Sequence, residues 1–350
     1  MDHNDLKGHV QTVRGLVAPE QLGPTMMHEH LLIDLRPIFD EPKDPSERAL
    51  GHARMTLENL SWVCMNWCRN LDNLLLDDAD LAVREALLFK QAGGGTLVDV
   101  TNVGLKRDPA ALLSIAERTG LNIVMGCSYY HALFHPPTMD AKSEQEICDE
   151  IVRDIMEGVD GTGVKAGIIG EIGCSSPLHH NEAKVLRASA RAQQRTGAPI
   201  TIHPGRNENS PFEIMDILEA AGADAQRVVM GHMERTGLER PRLRALAQRG
   251  CYLEYDWFGE VRPTYPYGRV DVPSDGERIK TIAGIIEDGY GSQVLVSQDV
   301  CFKTRLASYG GPGYAHIVRY VTEWMRAMGI TAAQIDEMLV GNPRRVLRFV

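Results

Sequence analysis

The sequence predicts a closed (β/α)8 barrel, the TIM-barrel class of α/β fold, occupying residues 1–350 as one domain. Three observations point to it. Eight short β-branched runs recur along the chain, amphipathic stretches separate most of them, and five of the eight end on a candidate metal ligand, His, Glu or Asp.

The runs are 25–30 (TMMHEH), 95–101 (GTLVDVT), 122–128 (NIVMGCS), 164–171 (VKAGIIGE), 199–203 (PITIH), 227–232 (RVVMGH), 251–256 (CYLEYD) and 293–299 (QVLVSQD). Helical periodicity marks 78–91, 109–119, 182–196, 212–221, 241–249 and 276–288. The long interval 36–73 between the first two strands reads as an inserted loop and helix over one face. Residues 331–350 read as C-terminal helices, with Gly341, Asn342 and Pro343 marking a break and restart. A two-domain doubly wound sheet is the structural alternative, but no G-x-G-x-x-G follows a strand and no G-x-x-x-x-G-K-[ST] occurs. Gly93-Gly94-Gly95 precedes a strand, which suits a helix-ending turn rather than a phosphate cradle.

Lys and Arg total 37 against 47 Asp and Glu, a formal net charge of -10, without any run of five or six basic residues. Nucleic acid and anionic membrane surfaces are therefore set aside as main partners. The opening MDHNDLKGHVQTVRG is polar and no stretch reaches 18 apolar residues, so neither a secretion signal nor a membrane span is expected. Seven cysteines, an odd number without a C-x-x-C pair, suit reduced thiols in the cytosol.

In this fold, chemistry gathers at the C-terminal ends of the strands. The first run ends His28-Glu29-His30, and residues two apart on a strand share a face, so both imidazoles can converge on one ion. Glu171, His203, His232 and Asp299 end four further runs. A lone H-x-H is weak evidence, and His203 or His232 alone is weaker, because a strand histidine is often only a hydrogen-bonded core residue. Four imidazoles and two carboxylates around one barrel mouth are much harder to assign to packing. Six N/O ligands without a thiolate exceed the needs of one tetrahedral zinc and suit two divalent ions; ligand type favours Zn and leaves Mn, Co and Fe open. A solvent bridging two such ions would be largely hydroxide near neutral pH, which implies metal-assisted hydrolysis.

The motifs HEH, GIIGEIG, TIHPGR, VVMGHMERT and LVSQDV, in this order, resemble the phosphotriesterase family of the amidohydrolase superfamily over about 8–349. VQTVRGLVAPEQLG, CYLEYDWFG and KTRLASYGG are most similar to an animal branch of that family that hydrolyses N-acetyltaurine. The resemblance implies the barrel itself and a homodimer in which the inserted segment offers a surface. It makes His28, His30 and Asp299 ligands of a more buried ion, His203 and His232 ligands of a more exposed one, and Glu171 the bridge.

The sequence departs from the family's founding enzymes at two places. Those enzymes bridge with a carbamylated lysine that aligns with Gly170. Glu171 lies one residue on and faces the site only if the strand bulges. Lactonases and phosphotriesterases of the family carry an arginine directly after an aspartate near the end of strand seven, where this chain reads Tyr255-Asp256-Trp257. The second departure weakens those two activities as alternatives. A barrel kept only for binding would be missing a ligand, and none of the six is missing.

The expected reaction is attack by the bridging hydroxide on the amide carbonyl of N-acetyltaurine, or of a related N-acyl taurine or N-acetyl amino acid. Asp299 passes the proton to the departing amine, giving acetate and taurine. An anionic N-acyl substrate needs cations at the mouth, for which Arg206, Arg235, Lys303 and Arg305 are the candidates, with Tyr129 and Tyr130 as pocket walls. His179 and His180 read as solvent-exposed, and His52, His131, His135 and His316 as structural.

Overall fold

The computed structural model describes residues 3–237, 239–260, 262, 264–265 and 270–350. Eight parallel strands form one sheet in sequence order: β1 (Thr25–Glu29), β2 (Thr96–Asp99), β3 (Asn122–Cys127), β4 (Ile168–Gly173), β5 (Ile200–His203), β6 (Val228–Met230), β7 (Tyr252–Tyr255) and β8 (Val294–Val296). Helices α1 (Ala79–Gln91), α2 (Pro109–Thr119), α3 (Glu144–Met156), α4 (His180–Thr196), α5 (Ser210–Ala220), α6 (Arg240–Ala247) and α7 (Asp275–Glu287) connect successive strands. A π-turn at Ile317–Val321 running into α8 (Thr322–Ala327) follows β8. This is the (β/α)8 barrel of the TIM class.

Local sequence sets the helix ends. Asp78 and Asp108 accept from the N–H groups of Leu81 and Ala111, and Ser143 with Glu146 and Ser274 with Glu277 form reciprocal capping boxes. Gly120 and Gly197 end α2 and α4 with left-handed φ of 67° and 70°, a conformation open to glycine because it lacks Cβ. Period-two alternation splits the strand residues into two buried sets. Met27, Val98, Val124, Ile168, Val229 and Leu295 pack with one another, whereas Met26, Leu97, Ile123, Ile169 and Ile200 join Phe89, Ile115 and Leu186 of the helices.

Backbone pairing between β8 and β1 gives way to side chains at the seam. The Ser297 hydroxyl accepts from His28 N–H (3.0 Å) and donates toward Glu29 Oε1 (2.7 Å). Asp299 N–H reaches His28 O (3.1 Å). The Glu29 carboxylate also accepts from the N–H groups of Gln298 and Val300, both at 2.9 Å, and so clasps the turn on either side of Asp299.

Segment 36–73 carries helices Pro45–His52 and Leu60–Met65 with short turns at Arg36–Ile38 and Trp67–Arg69. The antiparallel pair Ile33–Asp34 and Leu75–Leu76 ties its two ends together. Asn70 and Asn73 hold it from within through the carbonyls of Leu50, Ala53 and Trp67.

Two expectations need correction. The helix over Ala332–Leu347 does not break at Gly341-Asn342-Pro343; a π-turn at Glu337–Gly341 runs straight into Asn342–Leu347. Asn342 N–H bonds Glu337 O in the wider turn, and Pro343 with its missing N–H follows in the first turn of the α-helical stretch that continues it. The fourth strand begins at Ile168, not residue 164, because Val164 O and Ala166 N–H are taken by Val159 N–H and Asp154 O. Among the described residues, no helix is long and apolar enough to cross a membrane.

Candidate metal centre

β4 bulges at the position its offset glutamate requires. Cys127 pairs with both Ile169 and Gly170, and the register against β5 slips between Ile169 and Ile172. Gly170 has φ +127°, and a Cβ there would stand 2.2 Å from Thr201 O. Only glycine fits, and the slip brings the Glu171 carboxylate among the imidazoles.

Glu171 Oε2 lies 3.4 Å from His28 Nε2, 2.8 Å from His203 Nδ1 and 3.5 Å from His232 Nε2, and Oε1 lies 3.3 Å from His30 Nε2. Asp299 Oδ1 is 3.4 Å from His30 Nε2 and 3.9 Å from His28 Nε2. His232 and Asp299 sit two and three residues beyond their strands with left-handed φ of 51° and 52°. That conformation is uncommon for a residue with a side chain and recurs where function dictates geometry.

Behind this cluster stands a second row. Asp256 Oδ1 takes His232 Nδ1 at 2.7 Å, and Oδ2 lies 3.4 Å from His28 Nδ1. Thr101 Oγ1 meets His30 Nδ1 at 2.8 Å. Tyr130 reaches His203 with its hydroxyl, 3.2 Å from Nδ1. The Trp257 indole N–H donates to Asp299 Oδ2 across 3.1 Å.

Electrostatics divide the imidazoles. Burial, helped by Arg235, holds His203 well below the usual histidine range, which keeps it neutral with a lone pair to offer. Burial works against charge on His28 as well, but the carboxylates of Glu171 and Asp256 outweigh it and push its pKa well above the usual range.

The cluster forms the floor of a cavity of about 410 Å³. Apolar lining comes from the β1 and β3 side, with Ile33, Leu35, Ile38, Trp67 and Phe134. Cationic lining comes from Arg206 and Arg235 on the β5 and β6 side and from Arg262 and Arg305, which follow β7 and β8.

The phosphotriesterase family model matches residues 8–347. The chain belongs to the phosphotriesterase family. Members of this family are metal-dependent hydrolases. Among similar proteins, the N-acetyltaurine hydrolase of Homo sapiens is 42% identical over 348 residues, covering 99% of each chain. That of Dictyostelium discoideum is 41% identical over 364 residues, covering 98% of each. A crystal structure of a resiniferatoxin-binding protein from Rhodobacter sphaeroides superposes with a TM-score of 0.95 at 38% identity, over 99% of this chain and 98% of that one. The phosphotriesterase homology protein of Escherichia coli, complexed with phosphate in its active site, gives 0.77 at 26% identity, over 93% and 99%.

The residues of this phosphotriesterase-family site suit a divalent ion. Two ligands about 2.0–2.1 Å from a zinc at the tetrahedral angle lie roughly 3.4 Å apart, and four of the N···O separations above fall at 3.3–3.5 Å. Among the described residues the buried Nε2 of His28 has no hydrogen-bond partner, a costly state that a coordinated ion relieves, whereas its Nδ1 faces the Asp256 carboxylate at 3.4 Å. The groups that could hold an ion include His28, His30 and Asp299, and His28, Glu171 and His232.

The remaining predicted residues separate. Arg206, Arg235, Arg305 and Tyr130 line the cavity. Lys303 and Tyr129, which the sequence had suggested beside the substrate, are not among the described lining residues. Lys303 Nζ is drawn to Asp72 Oδ1 at 2.6 Å, and the Tyr129 hydroxyl turns to Glu150 and Lys142. Arg305 is buried and donates to the carbonyls of Phe258 and Gln298, so it braces the wall. His131, left as structural, lines the cavity, where burial lowers its pKa to about 4. Trp257, Glu260 and Arg262 also line it and were given no role from the sequence. The tryptophan following Asp256 was the only signal among them.

Proposed function

We propose that the chain is a metal-dependent amidohydrolase that cleaves N-acetyltaurine, and related N-acyl taurines or N-acetyl amino acids, to a carboxylic acid and an amine. The observation that carries this reading is the cavity joining the His/Glu/Asp cluster to Arg206 and Arg235. A linear substrate with a scissile carbonyl and an anionic end needs both. The names of the 41–42% identical relatives support the same reading.

His28, His30 and Asp299 would hold one divalent ion and His203 and His232 a second, with Glu171 between them; nitrogen and oxygen donors favour zinc. Bound there, the ions supply Lewis acidity toward the carbonyl and lower the pKa of water. Arg206 and Arg235 bind the sulfonate by charge-assisted hydrogen bonds. Asp299 accepts a proton from the attacking water and delivers it to the amine nitrogen as the C–N bond breaks. The apolar side of the cavity keeps bulk water from the reacting carbonyl. Seven unpaired cysteines support a cytosolic setting, and a homodimer, testable by light scattering, belongs to the same reading.

Steady-state kinetics with a metal count test the proposal. The expected result is two ions per chain, turnover of N-acetyltaurine above that of N-acetylglycine, a lactone or a phosphotriester, and loss of activity in His28→Ala and Asp299→Ala. Near wild-type activity in either variant, or in the chelator-stripped protein, overturns the mechanism. N-acetyltaurine turned over no better than N-acetylglycine overturns the substrate.

A further inference from the structure

We infer that His131 is a specificity residue that donates a hydrogen bond to the anionic end of the substrate beside Arg206 and Arg235, and so favours a sulfonate there over a carboxylate; this role rests on the amidohydrolase reading. His131 follows β3 and lines the cavity together with both arginines, and its ring centroid lies 6.3 Å from that of His203. Its backbone is held on both sides. The carbonyl accepts from Phe134 N–H at 2.9 Å, the next N–H, of Ala132, donates to Glu182 Oε1 at 2.8 Å, and a Cβ on Gly173 would stand 2.0 Å from the His131 nitrogen, so β4 passes close behind it. The ring packs against those of Tyr130 and Phe134, with centroids 4.5 and 4.9 Å away.

The ring differs from those of the other histidines read as structural. His52, His135 and His316 spend a ring nitrogen on Glu41, on Tyr130 O and on Asp275. Among the described residues, neither ring nitrogen of His131 has a hydrogen-bond partner, although the cavity reaches it. An imidazole carries at least one N–H in every protonation state, so a donor is always present. Burial lowers its pKa to about 4; Arg206 and Arg235 act in the same direction and Glu182 and Glu171 against it, so both guanidinium charges reach the ring. His131, Arg206 and Arg235 are carried on three different strand ends, those of β3, β5 and β6. A sulfonate presents three oxygens on a pyramid and can offer each donor its own acceptor. A carboxylate presents two in one plane and leaves one donor to share, and a hydrogen bond to a charged group is among the stronger ones.

N-acetyltaurine and N-acetyl-β-alanine differ only in sulfonate against carboxylate, and the ratio of their kcat/KM values reads the preference. Wild type is expected to favour N-acetyltaurine. His131→Phe, which keeps a ring against Tyr130 and Phe134, is expected to lower the ratio roughly tenfold or more, chiefly through the KM for N-acetyltaurine. His131→Gln, which restores an N–H, recovers part of it. In the metal-free protein, ethanesulfonate is expected to shift the His131 ring resonances more than propionate does at equal concentration, a readout independent of turnover. An unchanged ratio in His131→Phe, equal slowing of both substrates, or ring resonances indifferent to ethanesulfonate overturns the role of His131 alone. So does a wild-type enzyme that cleaves N-acetyltaurine without preferring it to N-acetyl-β-alanine. A wild-type enzyme that does not cleave N-acetyltaurine overturns the substrate reading and this role with it.

Discussion

Asp256 serves two neighbouring histidines, whose ring centroids are 4.7 Å apart: its Oδ1 takes His232 Nδ1 at 2.7 Å while its Oδ2 lies 3.4 Å from His28 Nδ1 and also accepts His232 N–H at 2.8 Å. A carboxylate behind a ligating imidazole fixes its tautomer and raises its basicity, and losing such a partner costs roughly 10–100-fold in metal affinity. Because His28 and His232 belong to different ions in the proposed centre, Asp256→Asn is expected to weaken both sites together. Competition with a chromogenic chelator measures this. Two-step loss with one site unchanged contradicts the shared role.

Arg206 and Arg235, two of the cavity arginines, differ in burial. Arg235 is buried and spends one donor on Pro204 O at 2.9 Å, whereas Arg206 is half-buried at the rim. Arg206→Ala therefore tests the proposed contact with the substrate anion at the more exposed of the two. A hydrogen bond to a charged group contributes about 1.5–3 kcal/mol, so the KM for N-acetyltaurine is expected to rise roughly 10- to 100-fold. The KM for uncharged N-ethylacetamide stays nearly unchanged. An equal rise for both amides means that Arg206 shapes the cavity and does not bind the anion.

Strand order and the five strand ends that carry the candidate ligands were legible because barrel topology ties a residue's place in the chain to its place at the mouth. That His28 and His30 share a face follows from period two. Other features depend on partners far away in sequence. Lys303 and Arg305 are two residues apart, yet one is drawn to Asp72 and the other to carbonyls at Phe258 and Gln298. No local pattern distinguishes them. Glu171 needed a bulge that the alignment offset demanded but no composition revealed. Glu29 lies between two conspicuous histidines and passed as a spacer, because the turn it clasps is about 270 residues away.

That clasp sets a third prediction. Glu29 accepts from Ser297 Oγ and from the N–H groups of Gln298 and Val300, and it is fully buried. Glu29→Gln would set an amide NH2 against at least one of these donors. Leaving a buried donor unsatisfied costs about 1–3 kcal/mol. Urea unfolding of the metal-free variant is expected to show that loss. Glu29→Asp, too short to span the seam, would fare no better. Wild-type stability in Glu29→Gln would mean that backbone contacts alone close the barrel.

Glu260, in the wall of the same cavity, gives the fold a pH dependence of its own. Burial alone would raise its pKa, but hydrogen bonds from Arg262 and the nearby charge of Arg305, 3.4 Å away, hold it at about 2 against an ordinary 4.5. A carboxylate whose folded pKa lies below its unfolded value stabilises the native state fully above the unfolded value. That contribution is lost as the pH falls from about 5 toward 2. At roughly 1.4 kcal/mol per pKa unit the stabilisation is on the order of 3 kcal/mol at neutral pH. Glu260→Gln is therefore expected to be less stable than wild type at pH 7, and the gap should narrow steadily as the pH is lowered through 4. Denaturant melts across that range decide it, and a gap that stays constant would place the stabilisation in packing and not in the charge of Glu260.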